Sequence, residues 1–292
     1  MISQFDNLKE IIDFKKNSSL NFKKQSLKDL QNLPKLNGIF DFKFYDLEFK
    51  MLNINNDDGV SLKFFWRDEY EPLSLKLWKN ITKNGQAYID VGSHTGIYSI
   101  IGNLSNKSNC LISVEPYNMN YYRLLCNLRL NSISTNNSFN FAASNKEGEV
   151  SFRIHDIDDY HKKNYHSAGG KIDNKGQIKV KTLLMDNFQF SSINKKVECI
   201  KIDTEGHEAE VIEGSAKLIK EFYPDFIIEV NESSFEKSLN LLKEHNYKFY
   251  FIEEENNKII EINENDKKMI KQEGQNFFCT KRNSDEINNL LI

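Results

Sequence analysis

The chain has 292 residues, 39% hydrophobic and 12% aromatic, which is apolar enough for one large domain, or a core domain with an added segment, and excludes a disordered chain. Lys and Arg number 39 against 42 Asp and Glu, and the net charge of -3 offers no field that would recruit nucleic acid or an anionic membrane. No apolar run approaches the roughly 18–20 residues of a membrane helix, so no membrane span is expected. The charged first twenty residues, with Asp6, Lys9, Glu10, Asp13, Lys15 and Lys16, lack a secretory pattern, and the expected setting is cytoplasmic.

In chain order, the first seventy residues begin with a Lys- and Asn-rich, helix-leaning stretch and continue with short alternating runs over 40–65. This region reads as an N-terminal cap, or as a contact through which two copies would form a homodimer. An apolar helix follows Tyr70-Glu-Pro and runs through Trp78. From residue 88 onward, β-branched runs alternate with amphipathic stretches of ten to fifteen residues, the pattern of strand-helix-strand units and a parallel sheet. Strands are expected at 87–91, 110–115, 139–143, 197–203, 226–230 and 248–252. Ile97, Ile100, Ile101 and Leu104 share one helical face, as do Leu124, Leu125 and Leu128. The fold class is therefore α/β, a doubly wound, mostly parallel sheet with helices on both faces.

Residues 144–181 interrupt this alternation. Two period-two runs there, Val150-Ser-Phe-Arg-Ile and Gln177-Ile-Lys-Val-Lys, enclose a polar segment and predict a β-hairpin-like insertion. A loop of this length usually forms a lid or a substrate wall. His155, His161 and His166 lie in it with Asp156, Asp158 and Asp159, without the spacing that would organise a metal site; Tyr160, His161 and Tyr165 are candidates for substrate contact. The cysteines Cys110, Cys126, Cys199 and Cys279 have no metal-site or redox spacing and are expected to be reduced thiols.

Chemistry concentrates at strand ends. In Tyr88-Ile-Asp-Val-Gly-Ser-His-Thr-Gly, Asp90 ends a strand, and Gly92 and Gly96 flank a tight turn into a helix, where backbone can approach a ligand and free N–H groups face it. About twenty residues on, Glu115 ends the next strand, where a carboxylate can accept both hydroxyls of a ribose. A dinucleotide fingerprint wants three glycines and this chain has two, so an NAD-linked oxidoreductase is the secondary reading; a non-catalytic nucleotide-binding protein is another. The strand ending at Asp203 runs into a turn carrying Glu205, His207 and Glu208, on the side of the sheet where open α/β folds bind ligands. Glu205 and Glu208 could equally serve the helix dipole.

Four motifs in order, Asp90-Val-Gly-Ser-His-Thr-Gly, Glu115-Pro116 with Asn127-Leu-Arg-Leu-Asn131, Ala142-Ala-Ser with Gly148, and Ile200-Lys-Ile-Asp-Thr-Glu-Gly-His-Glu with Gly214, make the chain resemble the FkbM family of S-adenosylmethionine-dependent methyltransferases over about residues 70–281. Phe277-Phe-Cys-Thr-Lys281 is similar to the last, antiparallel strand of class I methyltransferases. The resemblance implies a seven-stranded class I sheet and three regions: an N-terminal cap over 1–70, a cofactor-binding domain over 71–281 and a C-terminal tail over 282–292. It implies that Asp90 and the backbone from Gly92 to Gly96 hold the methionine part of the cofactor, with Ser93, His94 and Thr95 lining the turn. Glu115, next to Pro116, would bind the ribose, Ala142 and Ala143 would lie along the adenine edge, and Asp203 would sit beside the sulfonium. The implied reaction is O-methylation of a sugar, sugar nucleotide, polysaccharide or natural-product hydroxyl, with Asp203, Glu205 and His207 as candidate bases. Alternatively, Asp203 with Glu229 and Asn231 would bind Mg²⁺ beside a substrate diol.

Overall fold

The computed structural model describes residues 8–154, 170–188, 195–262 and 274–292. At the N-terminus, α1 (Leu8–Asn17) is followed by α2 (Leu27–Gln31), which opens with a reciprocal capping box between Ser26 and Asp29. The strands β1 (Asn37–Phe44) and β2 (Leu47–Ile54) pair as an antiparallel hairpin whose alternation turns Phe40, Phe42, Phe44, Phe49 and Met51 inward. The alternation expected to run to residue 65 ends sooner. Asn55 and Asn56 both take left-handed conformations, and the Asp58 carboxylate accepts the Val60 and Ser61 amides to start α3 (Gly59–Arg67). Next comes α4 (Pro72–Asn84), whose first turn is held from a distance by Glu254, which accepts the Leu73 and Ser74 amides.

The doubly wound unit proceeds through β3 (Ala87–Val91), α5 (Ile97–Ser105), β4 (Cys110–Val114), α6 (Asn118–Leu130) and β5 (Ser138–Phe139). The expected strand 139–143 divides. Asn140 donates to the Glu115 and Pro116 carbonyls, and the chain leaves the large sheet for β6 (Ala142–Ala143) in a second, smaller sheet. That sheet takes up the expected insertion. β7 (Gly148–Arg153), β8 (Lys171–Ile172) and β9 (Ile178–Leu183) join β6 in the order β6-β9-β7-β8, with β7 and β9 antiparallel. Tyr160, His155, His161, Tyr165, His166 and the three aspartates among them lie outside the described residues.

The chain returns through β10 (Val197–Ile202), α7 (Glu208–Glu213), α8 (Ala216–Phe222), β11 (Asp225–Val230), α9 (Phe235–Lys243), β12 (Lys248–Glu253), β13 (Lys258–Ile262) and β14 (Gln275–Thr280). The large sheet has the order β13-β12-β14-β11-β10-β3-β4-β5, with β14 antiparallel to both neighbours. Among the described residues it therefore has eight strands, not the expected seven, because β13 folds back on β12 as an edge hairpin. The order reverses between β3 and β10, which leaves a crevice at their carboxyl ends.

Both faces of the sheet are covered. On one, Trp78, Tyr88, Ile100 and Leu124 pack in the same buried cluster as Leu36, Met51, Leu62 and Trp66, so the first seventy residues share the core of the face that α4 and α5 cover. On the other, Val211, Ile219, Phe226, Leu242 and Phe277 form a separate cluster under α7, α8 and α9. Residues 282–292, expected to be a tail, form α10 (Ser284–Leu291), with Ile287 buried and an Asn283–Glu286 capping box. The side chain of Asn80 donates to the Leu290 carbonyl. Among the described residues, no helix is long and apolar enough to cross a membrane.

Candidate active site

A cleft of about 220 Å³ opens at the β3–β10 crevice. Its floor is made where two strand ends meet. The Asp203 amide donates to the Val91 carbonyl at 3.0 Å, and the chain turns away at Gly92 with φ +75°. A Cβ on Gly92 would come within 1.7 Å of the Asp203 carbonyl oxygen, so backbone can fill this position only without a side chain. Gly96, with φ +101°, begins α5.

The residues expected along the cofactor divide into two groups. Gly92, His94, Glu115, Pro116, Ala142 and Ala143 line the cleft. Asp90, Ser93, Thr95 and Gly96 do not; they build the turn from behind. Asp90 is buried and accepts the Ser99 hydroxyl at 2.5 Å. Burial pushes its carboxyl up to about 6, partly offset by that hydrogen bond and by Lys201. The Ser93 hydroxyl donates to the Asp90 carbonyl and accepts the Val114 amide. Asn127 donates to the Thr95 carbonyl.

Glu115 takes the His94 amide at 2.9 Å on one oxygen and the Tyr117 amide at 2.8 Å on the other, which aims a buried carboxyl into the cleft. Burial, only partly offset by those two amides, pushes it up to about 7. His94 stands in a left-handed conformation, φ +51°, and its buried Nε2 has no partner among the described residues. The opposite wall is apolar, with the small Ala142 and Ala143 beside Phe152, which stacks on Tyr117 at 6.4 Å between ring centroids. A backbone cradle at Gly92, a paired acceptor at Glu115, an orphan imidazole nitrogen and a flat apolar wall fit an adenosyl group.

At the other end, Asp203, Glu205, His207 and Glu229 all line the cleft, in different circumstances. His207 is occupied: Nε2 lies 3.0 Å from the Ser144 hydroxyl and Nδ1 lies 3.5 Å from Glu210. Its burial lowers its proton affinity and favours neutral imidazole. Glu205, with φ +56°, is exposed in area at the lip of the cleft; desolvation against the wall and then the charges of Asp203 and Glu208 push it up to about 7. Glu208 folds the turn, accepting the Thr204 and Gly206 amides and the Thr204 hydroxyl on one oxygen. Asp203 is 27% exposed, and Glu229 has its carboxyl held well above the usual range, first by the Asp203 charge and then by burial.

The oxygen-ligand set drawn from sequence does not converge. The Asn231 amide oxygen accepts the Ser233 hydroxyl and the Ser233 and Ser234 amides, so it closes the turn into α9 and does not line the cleft. Among the described residues, no group of three His, Cys, Asp or Glu side chains is placed to hold a metal ion. The positive charge beside Asp203 is a side chain, Lys201, with Nζ 3.6 Å from Oδ2.

Sequence reasoning missed Lys201 and the wall built by residues 59–71. Lys63 lies 4.9 Å over the Tyr70 ring, and Glu71 holds φ +39° and accepts the Tyr98 hydroxyl at 2.6 Å. Lys63, Tyr70 and Glu71 all face the cleft. Lys201 had a readable signal, since a lysine between apolar neighbours in a central strand has no solvent to reach. The 59–71 wall had none, because only long-range packing brings it to the crevice.

The methyltransferase FkbM domain profile matches residues 90–249. No curated protein matches the sequence. Among solved structures, a methyltransferase FkbM from Methylobacillus flagellatus KT is similar at 15% identity and a TM-score of 0.42, over 76% of this chain and 53% of that one. The chain thus spans about half of that protein. A precorrin-6y C5,15-methyltransferase from Geobacter metallireducens GS-15 is similar at 9% identity and a TM-score of 0.41, over 73% of this chain and 89% of that one. An O-methyltransferase from Bacillus cereus, solved in complex with SAH, is similar at 11% identity and a TM-score of 0.36, over 72% of this chain and 81% of that one.

Proposed function

Because the chain belongs to the FkbM family of S-adenosylmethionine-dependent methyltransferases, we propose that it methylates a hydroxyl oxygen of a carbohydrate or similar small polyhydroxyl acceptor, with Asp203 as the base. The observation that carries this reading is the meeting of Asp203 with the Gly92 turn on the floor of one cleft. Family membership favours methyl transfer over the dinucleotide oxidoreductase suggested by the same glycine turn. When bound, S-adenosylmethionine supplies a methyl carbon already activated by its sulfonium.

The protein's part is positioning and proton removal. Glu115 holds a ribose diol, Ala142 and Ala143 border a base, and the Gly92 backbone admits the chain between them. Asp203 takes the acceptor hydroxyl proton, while Glu205 remains at the lip and His207 stays tied to Ser144 and Glu210. Tyr70, Glu71 and Lys63 present polar groups to the acceptor side. The four cysteines are free thiols, which supports a reducing, cytoplasmic setting. The test is calorimetric titration with S-adenosylmethionine followed by methyl-radiolabel transfer to a panel of sugars, sugar nucleotides and glycosides. Binding with transfer to oxygen is expected; absence of cofactor binding would remove the proposal.

Two further results are expected. The raised Glu115 carboxyl carries a proton in the free protein below about pH 7, whereas a diol donates its hydrogens to the carboxylate. Binding therefore expels that proton, and affinity for S-adenosylhomocysteine should rise by up to about tenfold per pH unit between pH 5.5 and 7, then level off. Glu115→Gln should bind more weakly and show no such slope; a flat wild-type profile would contradict the assignment. Methyl transfer should also survive EDTA undiminished, because Lys201 supplies the charge beside Asp203 and Asn231 is committed to its turn. A loss restored by Mg²⁺ would reinstate the metal.

A further inference from the structure

Lys201 lies in the middle of the sheet, opposite Asp90 in the β3–β10 register, and is 1% exposed. Burying an ammonium is costly unless it is paired and hydrogen-bonded. Its surroundings are built to hold the charge. Nζ donates to the Asn276 amide oxygen at 3.1 Å, lies 5.1 Å over the Tyr98 ring and stands 3.6 Å from Asp203 Oδ2. Four elements turn acidic groups toward it: Asp90 from β3, Asp203 from the end of β10, Glu229 from β11 and Glu71 from the start of α4. Burial alone would lower the lysine's proton affinity, and these carboxyls reverse the sign.

The neighbouring carboxyls are not equivalent. Asp203 and Glu229 line the same cleft, and the charge of Asp203 is the largest influence raising the Glu229 carboxyl. Like charges set side by side in a buried site do not both ionise, so one carboxyl is an acid and the other a carboxylate. The ammonium lies against the Asp203 side of the pair, 3.6 Å from Oδ2.

We infer that Lys201 is a positioning residue for methyl transfer: held by Asn276 and the Tyr98 ring, its ammonium keeps the negative charge of the carboxyl pair on Asp203 and the shared proton on Glu229. The role assigned to Asp203 rests on the proposed function; the distribution of charge does not. Reversing it would leave Asp203, the proposed base, an acid unable to take a proton from the acceptor.

The test is carbon-13 NMR of the side-chain carboxyls in the whole protein, with the two resonances assigned by Asp203→Asn and Glu229→Gln. At pH 7, Asp203 should give a carboxylate signal and Glu229 an acid signal; the opposite pattern overturns the inference. Lys201→Met keeps the volume and removes the charge. In this variant the pair should take up its second proton at a pH about one unit higher or more, a tenfold rise in proton affinity. S-adenosylhomocysteine binding should be retained, and a folded variant titrating where the wild type does overturns the inference. If Lys201→Met fails to fold, Asn276→Ala decides alone: it should move the same titration upward by less, and an unmoved titration overturns the inference. If the carboxyls behave as expected but no acceptor is ever methylated, the charge assignment stands and the proposed function fails. A purely structural lysine would change melting temperature without moving the carboxyl titration.

Discussion

Replacing Asp203 with Asn is expected to lower methyl transfer at least about a hundredfold, the usual contribution of a positioned general base, while leaving S-adenosylhomocysteine affinity within a few fold. The substitution preserves shape, and the backbone bond from residue 203 to the Val91 carbonyl remains, so the floor beneath the Gly92 turn is kept. What is lost is, among the described residues that line the cleft, the one oxygen that combines three properties. It faces the open space, it lies beside a fixed ammonium, and its neighbour Glu229 has a carboxyl held well above the usual range. Glu205 cannot inherit the role without moving inward from the lip, and the His207 nitrogens are engaged. The measurement is single-turnover methyl transfer at saturating cofactor alongside calorimetry. A loss of less than about tenfold would place the base elsewhere.

Among the described glycines, Gly92→Ala should be the most damaging single methyl. Two costs coincide there: a left-handed φ that an L side chain resists and a Cβ driven to 1.7 Å from the Asp203 carbonyl oxygen, which is backbone and cannot rotate aside. Together they should destabilise the fold by on the order of 3 kcal/mol. Moving the β3 and β10 ends apart should also abolish cofactor binding. Gly148→Ala provides the control, since Gly148 also has positive φ but nothing within 4 Å of its missing Cβ. It should cost only the conformational part and leave binding intact. Thermal melts and calorimetry on both variants are the check; equal stabilities would show that the contact at Gly92 carries no energy.

The doubly wound alternation was legible because its signal is local. Ala87 to Val91, Val197 to Ile202 and Phe226 to Val230 are mostly apolar, β-branched runs too short for helices, and the intervening stretches place their apolar residues at helical spacing. The turn at Gly92 and the carboxylates at Glu115 and Asp203 were legible for the same reason, since each ends a recognisable strand. The misreadings fall where local pattern and tertiary demand part company. Residues 139–143 read as one strand, but Asn140 anchors to the Glu115 and Pro116 carbonyls and divides them between two sheets. Residues 282–292 read as a tail because a short amphipathic helix is recognisable only by the surface it covers. Asn231 looked like a ligand from its place at a strand end, yet its own backbone two and three residues on claims its oxygen.

By itself the sequence determined the fold class, the end of the sheet where chemistry would occur, and the residues that terminate each strand there. These follow from periodicity and turn chemistry, which act over a few residues. Only the tertiary structure decided what those residues do to one another. Asp90 was withdrawn behind the turn to Ser99, Glu208 was spent on its own loop, and Lys63, Tyr70 and Glu71 arrived from the N-terminal region to complete the cleft. It also set a buried ammonium from β10 beside the Asp203 carboxylate. The physical reason is range: hydrophobic spacing is encoded by neighbours in the chain, whereas the charge of a carboxyl is set by whatever lies within a few ångströms of it.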